Sequence, residues 1–128
     1  MNPWIAIAAL VAPAVAGAAD VPQMSSGYVF AQKEGKALYA ASCQGCHMAN
    51  GEGARGAGFY PKLAGNPLVQ SPEYIVHRVA NGYRGMPAFA GMMSDEQIAA
   101  VATYVRQSFD KPDAPAVTVG DVRRLRQP

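Results

Sequence analysis

The pentapeptide Cys43-Gln44-Gly45-Cys46-His47 constrains this chain more than any other stretch. It holds the only two cysteines of the 128 residues and one of the two histidines. A one-turn C-x-x-C puts two sulfurs on one side of the backbone, and the following histidine points the same way. That is the C-x-x-C-H attachment pattern of haem c, in which two thioethers fix the porphyrin edge and the histidine ligates the iron. Gly45 lets the backbone of the turn lie close to a flat ring. Three other readings use the same residues. A thioredoxin-like redox pair needs a βαβ context, and the chain has no such pattern. A structural zinc site needs four ligands, and the chain offers only Cys43, Cys46, His47 and the distant His77. A disulfide would leave His47 without a role.

Size and address bear on the choice. A chain of 128 residues makes one small domain. Half of it is hydrophobic, but much of that is alanine, which fills little volume. Such a core is thin, and a buried porphyrin would add apolar mass. A net charge of +2 is too mild for a nucleic-acid binder. Residues 1–19 carry no charged side chain and end in Ala16-Gly17-Ala18-Ala19, which reads as a secretory signal peptide. The alternative is a retained membrane anchor, although Pro3 and Pro13 interrupt a run that is short for a span. Export would carry the thiols to the compartment where haem c is attached, the bacterial periplasm.

The remaining chain is read in order. Residues 20–30 form a linker. From Phe30 the pattern is helical, and Gly35 and Tyr39 share one face as the seat of a close helix crossing. The glycine-rich stretch after His47 reads as loop. Ser71-Pro72-Glu73 starts a helix that ends at Asn81-Gly82. His77 within it is a solvated side chain. Pro87 imposes an extended conformation on Met86. Ser94 to Gln97 forms a capping box, with Met93 and Ile98 as hydrophobic staple, and starts a helix reaching Phe109. Residues 110–128 form a basic, proline-containing tail.

Taken together, Gly35-x-x-x-Tyr39, C-x-x-C-H, Pro61-x-Leu63-x-Gly65, Met86-Pro87-Ala88-Phe89 and the capped final helix resemble a class I c-type cytochrome over residues 31–109. The resemblance implies an all-α, cytochrome c-like fold, with three to four main helices around one haem c held by Cys43 and Cys46. It implies His47 and Met86 as iron ligands, with Met92 as the rival to Met86. The Pro61 carbonyl would accept the His47 ring N–H, and Leu63 would pack on the porphyrin. Gly35 and Tyr39 would cross the last helix near Val101 and Tyr104. Many relatives hold a propionate with tryptophan, but here the only tryptophan is Trp4 in the leader. By position, Arg55, Tyr60, Tyr83 and Arg84 are the substitutes.

The function so implied is one-electron transfer rather than catalysis. The segment around Met86 and the arginine-bearing tail are similar to cytochrome subunits of bacterial periplasmic dehydrogenases. A partner dehydrogenase would supply electrons, and the tail would be its docking arm. The alternatives are a free shuttle to a terminal oxidase or other cytochrome, or a haem enzyme or gas sensor whose sixth iron position is open. Membrane attachment is expected only if the N-terminal segment is retained.

Overall fold

The computed structural model describes residues 29–126. The expected leader over residues 1–19, with Trp4, and most of the linker lie outside the described residues, as do Gln127 and Pro128. Five helices and a two-stranded ladder make up the described chain, in the order α1 Gly35–Ser42, α2 Gln44–His47, β1 Ala54–Arg55, β2 Phe59–Tyr60, a 3₁₀ turn Pro67–Gln70, α3 Pro72–Asn81, α4 Asp95–Phe109 and α5 Val119–Arg126. Among the described residues no helix is long and apolar enough to cross a membrane.

The two long helices start where their local signals place them. Ser71 Oγ accepts the Tyr74 N–H at 3.1 Å and Pro72 takes the first position of α3. Proline fits there because its missing N–H would have had no helical partner. At the start of α4, Ser94 Oγ accepts from Gln97 N–H at 3.3 Å, while Gln97 Oε1 accepts from Ser94 N–H at 2.8 Å. Met93 and Ile98, on either side of that cap, are both buried. Gln97 reaches further: its Nε2 donates to the carbonyls of Phe30 and Gln32 at 2.7 Å each. The cap of α4 thus also ties down the segment leading into α1.

α1 and α4 cross at Gly35. A Cβ there would lie 2.3 Å from the Ala100 carbonyl oxygen and 2.8 Å from Tyr104 Cβ, so only hydrogen fits. One turn on, Tyr39 packs against Tyr104 and Phe109, with ring centroids 5.4 and 5.0 Å apart. These tilted arrangements suit the quadrupoles of aromatic rings. The core continues through Leu38, Val76, Ile98, Val101 and Ala102, all essentially inaccessible.

Two segments differ from their sequence reading. The stretch after His47 contains a short hairpin, Ala54 opposite Tyr60 and Arg55 opposite Phe59. Two-residue strands are too brief to leave an alternating pattern. The tail, read as an extension beyond a finished core, folds back instead. Ala114, Val117 and Val122 are buried, and α5 packs on both α3 and α4. Side chains of α4 satisfy the backbone of the strap before it. Gln107 donates to the Ala114 carbonyl at 2.8 Å, and Thr103 Oγ1 accepts the Val117 N–H at 2.9 Å. Arg126 then bonds the Asp95 carboxylate and the Ala90 carbonyl. Apolar residues spaced among prolines carry no helical period, which hides this packing from the sequence.

Candidate haem site

Cys43, Cys46 and His47 lie at the junction of α1 and α2. The Cys43 N–H still bonds the Tyr39 carbonyl of α1 at 2.9 Å, and its carbonyl accepts from His47 N–H at 2.9 Å. One tight turn therefore carries all three side chains. Cys43 is buried and Cys46 exposed, and both are free thiols. Burial pushes the Cys43 thiol above its ordinary range. Cys46 beside it pushes the same way, while a hydrogen bond with Ser42 at 3.3 Å pulls it down.

His47 is buried, and its Nδ1 lies 2.8 Å from the Pro61 carbonyl oxygen. A carbonyl can only accept, so Nδ1 carries the proton and Nε2 keeps its lone pair for a metal. Three left-handed residues build the loop that delivers Pro61. Met48, Gly51 and Gly53 have φ of 65°, 66° and 68°. A Cβ on Gly53 would sit 2.5 Å from the Tyr60 oxygen and 2.9 Å from the Pro61 carbonyl carbon. The glycine is what lets the 60–62 backbone come in over the helix junction. Leu63 N–H and Ala64 N–H both bond the Gly51 carbonyl, at 2.7 and 3.0 Å. Tyr39 clamps the start of this loop, donating its hydroxyl to the Met48 carbonyl at 2.7 Å. Burial pushes that hydroxyl well above the ordinary tyrosine range.

Met86 belongs to a second loop, between α3 and α4. Tyr83 and Met86 exchange both backbone hydrogen bonds at 3.0 Å, closing a tight turn with Arg84 left-handed at φ 54°. Gly82, at φ 69°, ends α3 and lies so close that a Cβ would be 2.5 Å from the Met86 oxygen. Phe89 N–H and Ala90 N–H return to α3 through Val79 and Ala80 carbonyls, at 2.9 and 3.1 Å. Met86 and Leu63 are half-buried against the core, and so is Met92. Met92 carries a structural duty, since its carbonyl accepts the Phe30 N–H at 3.2 Å. Met93 is buried.

The four residues named for the propionates sit on two loops. Arg55 lies over the Phe59 ring at 4.7 Å, and Tyr60 follows in the hairpin. Arg84 lies 5.1 Å from the Tyr83 ring. His77 is exposed on α3. Sequence reading passed over Arg78, whose guanidinium stacks between Tyr74 and Tyr83. The i,i+4 spacing of Tyr74 and Arg78 on one helix face was the available signal.

These residues fit a haem c. Two unpaired thiols and an imidazole with a fixed tautomer share one turn, and a half-buried thioether and a half-buried leucine lie on the two flanking loops. The donor set matches poorly with zinc, for among the described residues no three His, Cys, Asp or Glu side chains converge as a metal cluster.

Comparison with known proteins bears on the same residues. The family model described as "Cytochrome C oxidase, cbb3-type, subunit III" matches residues 30–105. The fructose dehydrogenase cytochrome subunit of Gluconobacter japonicus is 35% identical over 108 residues, covering 73% of this chain and 22% of that protein. The chain thus spans about a fifth of the length of that relative. Cytochrome c6 of Leptolyngbya boryana is 40% identical over 81 residues, covering 60% of this chain and 92% of that protein. Among solved structures, cytochrome c6 of the diatom Phaeodactylum tricornutum superposes with a TM-score of 0.51 at 33% identity, covering 59% of this chain and 91% of the other.

Proposed function

The chain belongs to the cytochrome c family, with the cytochrome c fold and the role of an electron carrier rather than an enzyme, and we propose that it works through one haem c bound covalently at Cys43 and Cys46. When bound, the haem supplies the one-electron Fe(III)/Fe(II) couple. The protein's residues orient and tune it. His47 and Met86 would supply the iron's protein ligands, and a thioether ligand would favour the reduced state. The contact from His47 Nδ1–H to the Pro61 carbonyl is the observation that carries the reading. It fixes the tautomer and the ring orientation a ligand needs. Leu63 shields the ring from water.

The proposed partner is a dehydrogenase in the bacterial periplasm, which passes electrons to this chain for delivery to the respiratory chain. The likeness to a dehydrogenase cytochrome subunit supports it. A free shuttle to a terminal oxidase is the second reading. It is favoured by the match across nearly the whole of a cytochrome c6. The uncharged, mostly apolar residues 1–19, read as a signal peptide, agree with that address.

A pyridine haemochrome spectrum on the purified full chain, with its intact mass, tests the core of the proposal. One thioether-bound haem per chain is expected. A protein without covalent haem would overturn it. Carbon monoxide added to the reduced protein tests Met86. No fast binding is expected, and fast binding would indicate an open sixth position.

A further inference from the structure

Ala90 is the point where α3 and α5 both grip the loop that carries Met86. Its N–H bonds the Ala80 carbonyl of α3 at 3.1 Å, and its own carbonyl accepts from the Arg126 guanidinium of α5. Arg126 also bonds the Asp95 carboxylate at the start of α4. One side chain thus joins the methionine loop to the helix that follows it. That side chain comes from α5, which lies outside residues 30–105 that the family model matches.

The packing of α5 delivers it there. Val122 is fully buried, and Arg126 follows one turn later on the same face. Val119 and Leu125 pack against the core beside Val122. Asp95 stands in the first turn of α4 and Arg126 in the last turn of α5, the ends at which helix dipoles favour those charges. The pair is largely shielded, with side chains 30% exposed for Arg126 and 21% for Asp95. Salt screens such a bond less than one on the open surface. Arg123 reaches the same carboxylate at 3.4 Å, from a more exposed position.

The loop beyond Gly82 is held at its base more than along its length. Tyr83, Arg84, Gly85, Pro87 and Ala88 are exposed around half-buried Met86. Three ties fix the return of the chain. Phe89 and Ala90 N–H bond α3, the Met92 carbonyl bonds Phe30 N–H, and the Ala90 carbonyl bonds Arg126. The first two join backbone to backbone, whatever the side chains are. The third depends on one guanidinium, and a charge-assisted bond is stronger than a neutral one. A segment opens locally as often as its ties allow. We propose that Arg126 is a positioning residue for Met86: it closes the base of the methionine loop and so limits exchange of the thioether for an outside ligand. This rests on the haem reading of Cys43, Cys46, His47 and Met86.

Imidazole added to the ferric, haem-loaded full chain is the probe. The Met86 sulfur leaves the iron and an imidazole nitrogen takes its place, with no electron transferred, and the near-infrared sulfur-to-iron band disappears. Arg126→Gln should bind imidazole at least about tenfold more tightly than the native protein, the effect of losing one hydrogen bond from a charged group. Arg126→Lys, whose ammonium lacks the planar fork, should lie between. Arg123→Gln should bind as the native protein does. The Ala90 amide hydrogen should exchange faster in Arg126→Gln by a similar factor, while that of Val101 in the middle of α4 keeps its rate. Gly35→Ala disturbs the α1–α4 crossing away from the loop and should leave imidazole affinity unchanged. Equal affinity in the native protein and Arg126→Gln would overturn the proposal, and so would an equal rise in Gly35→Ala, which would trace the effect to general destabilisation. Should Arg126→Gln fail to accumulate, Arg126→Lys and Asp95→Asn decide in its place, and native affinity in both again overturns it. A native protein without the near-infrared band would defeat the Met86 reading, and the positioning role with it. An unchanged Ala90 exchange rate with the band present would defeat the positioning role alone.

Discussion

The ring N–H of His47 donates to the carbonyl of Pro61 at 2.8 Å, across a sequence separation of 14. A carbonyl cannot be removed by changing its own side chain. Gly53 is the available handle, because it holds the Pro61 backbone in place from the other side. Gly53→Ala brings a Cβ within 2.5 Å of the Tyr60 oxygen at a φ of 68°. Strain and clash together should cost about 2 to 4 kcal/mol of stability. Chemical denaturation measures that loss. The His47 Nδ1–H resonance should move with it, and an unmoved resonance would separate the loop from the histidine.

Gly35→Ala tests the helix crossing. In an exposed helix the change would gain about 1 kcal/mol. Here the new methyl would meet the Ala100 carbonyl oxygen at 2.3 Å. The overpacking cost of roughly 1–3 kcal/mol, raised by a rigid backbone neighbour, should win. A lower melting temperature is expected, and a higher one would show that the crossing yields easily.

Met86 and Met92 make opposite predictions. Met86→Ala should abolish the weak near-infrared sulfur-to-iron band and lower the reduction potential. Met92→Ala should leave the band in place and reduce stability, because Met92 packs against the core and its backbone pairs with Phe30. A band lost in Met92→Ala alone would exchange the two roles.

Deleting residues 111–128 should destabilise the domain, not merely release an arm. Val117 and Val122 are buried, and each such side chain contributes about 1.5–3 kcal/mol. Against a total of about 5–15 kcal/mol, that loss is large. Loss of a partner after deletion would then not distinguish docking from folding. Arg123→Gln with Arg124→Gln does distinguish them, since both side chains are mainly exposed, at 67% and 70%. Melting should barely change. Weakened co-purification of a large subunit would assign docking to this face, and unchanged association would remove the role.

The acid limb of the stability curve should depend on the same helix. Hydrogen bonds from Thr118, then from Arg124, hold the Asp121 carboxyl down at about 2. Asp95 is lowered by its bonds to Arg126 and Arg123. Both carboxyls have folded pKa values below their unfolded ones. Their contribution is present above the ordinary carboxylate range, about pH 4, and is lost as pH falls toward 2. Asp121→Asn should flatten the pH dependence of melting over that interval. An unaltered profile would show that the Thr118 cap is not populated in solution.

Much of this molecule was legible as sequence, and the physical reason is locality. The attachment turn, the Ser71-Pro72 start and the capping box of Ser94 and Gln97 are patterns whose partners lie within a few residues, so their chemistry is written side by side. Gly35 carried a long-range message only because a helical glycine is costly without a close neighbour. Other features have no local signature. Any residue has a carbonyl, so nothing in Pro61 by itself marks it as the acceptor for His47; only the resemblance to a family implied it. The hairpin was too short for periodicity, and the tail hid its buried valines among prolines. Arg78 reads as a surface cation until α3 and the Met86 turn enclose it between Tyr74 and Tyr83. The sequence by itself determined which group can be bound and where its thiols stand. Tertiary structure decided which backbone carbonyl orients the histidine, which loop carries the methionine and which arginine is set against two tyrosine rings. Those depend on distances between segments far apart in the chain.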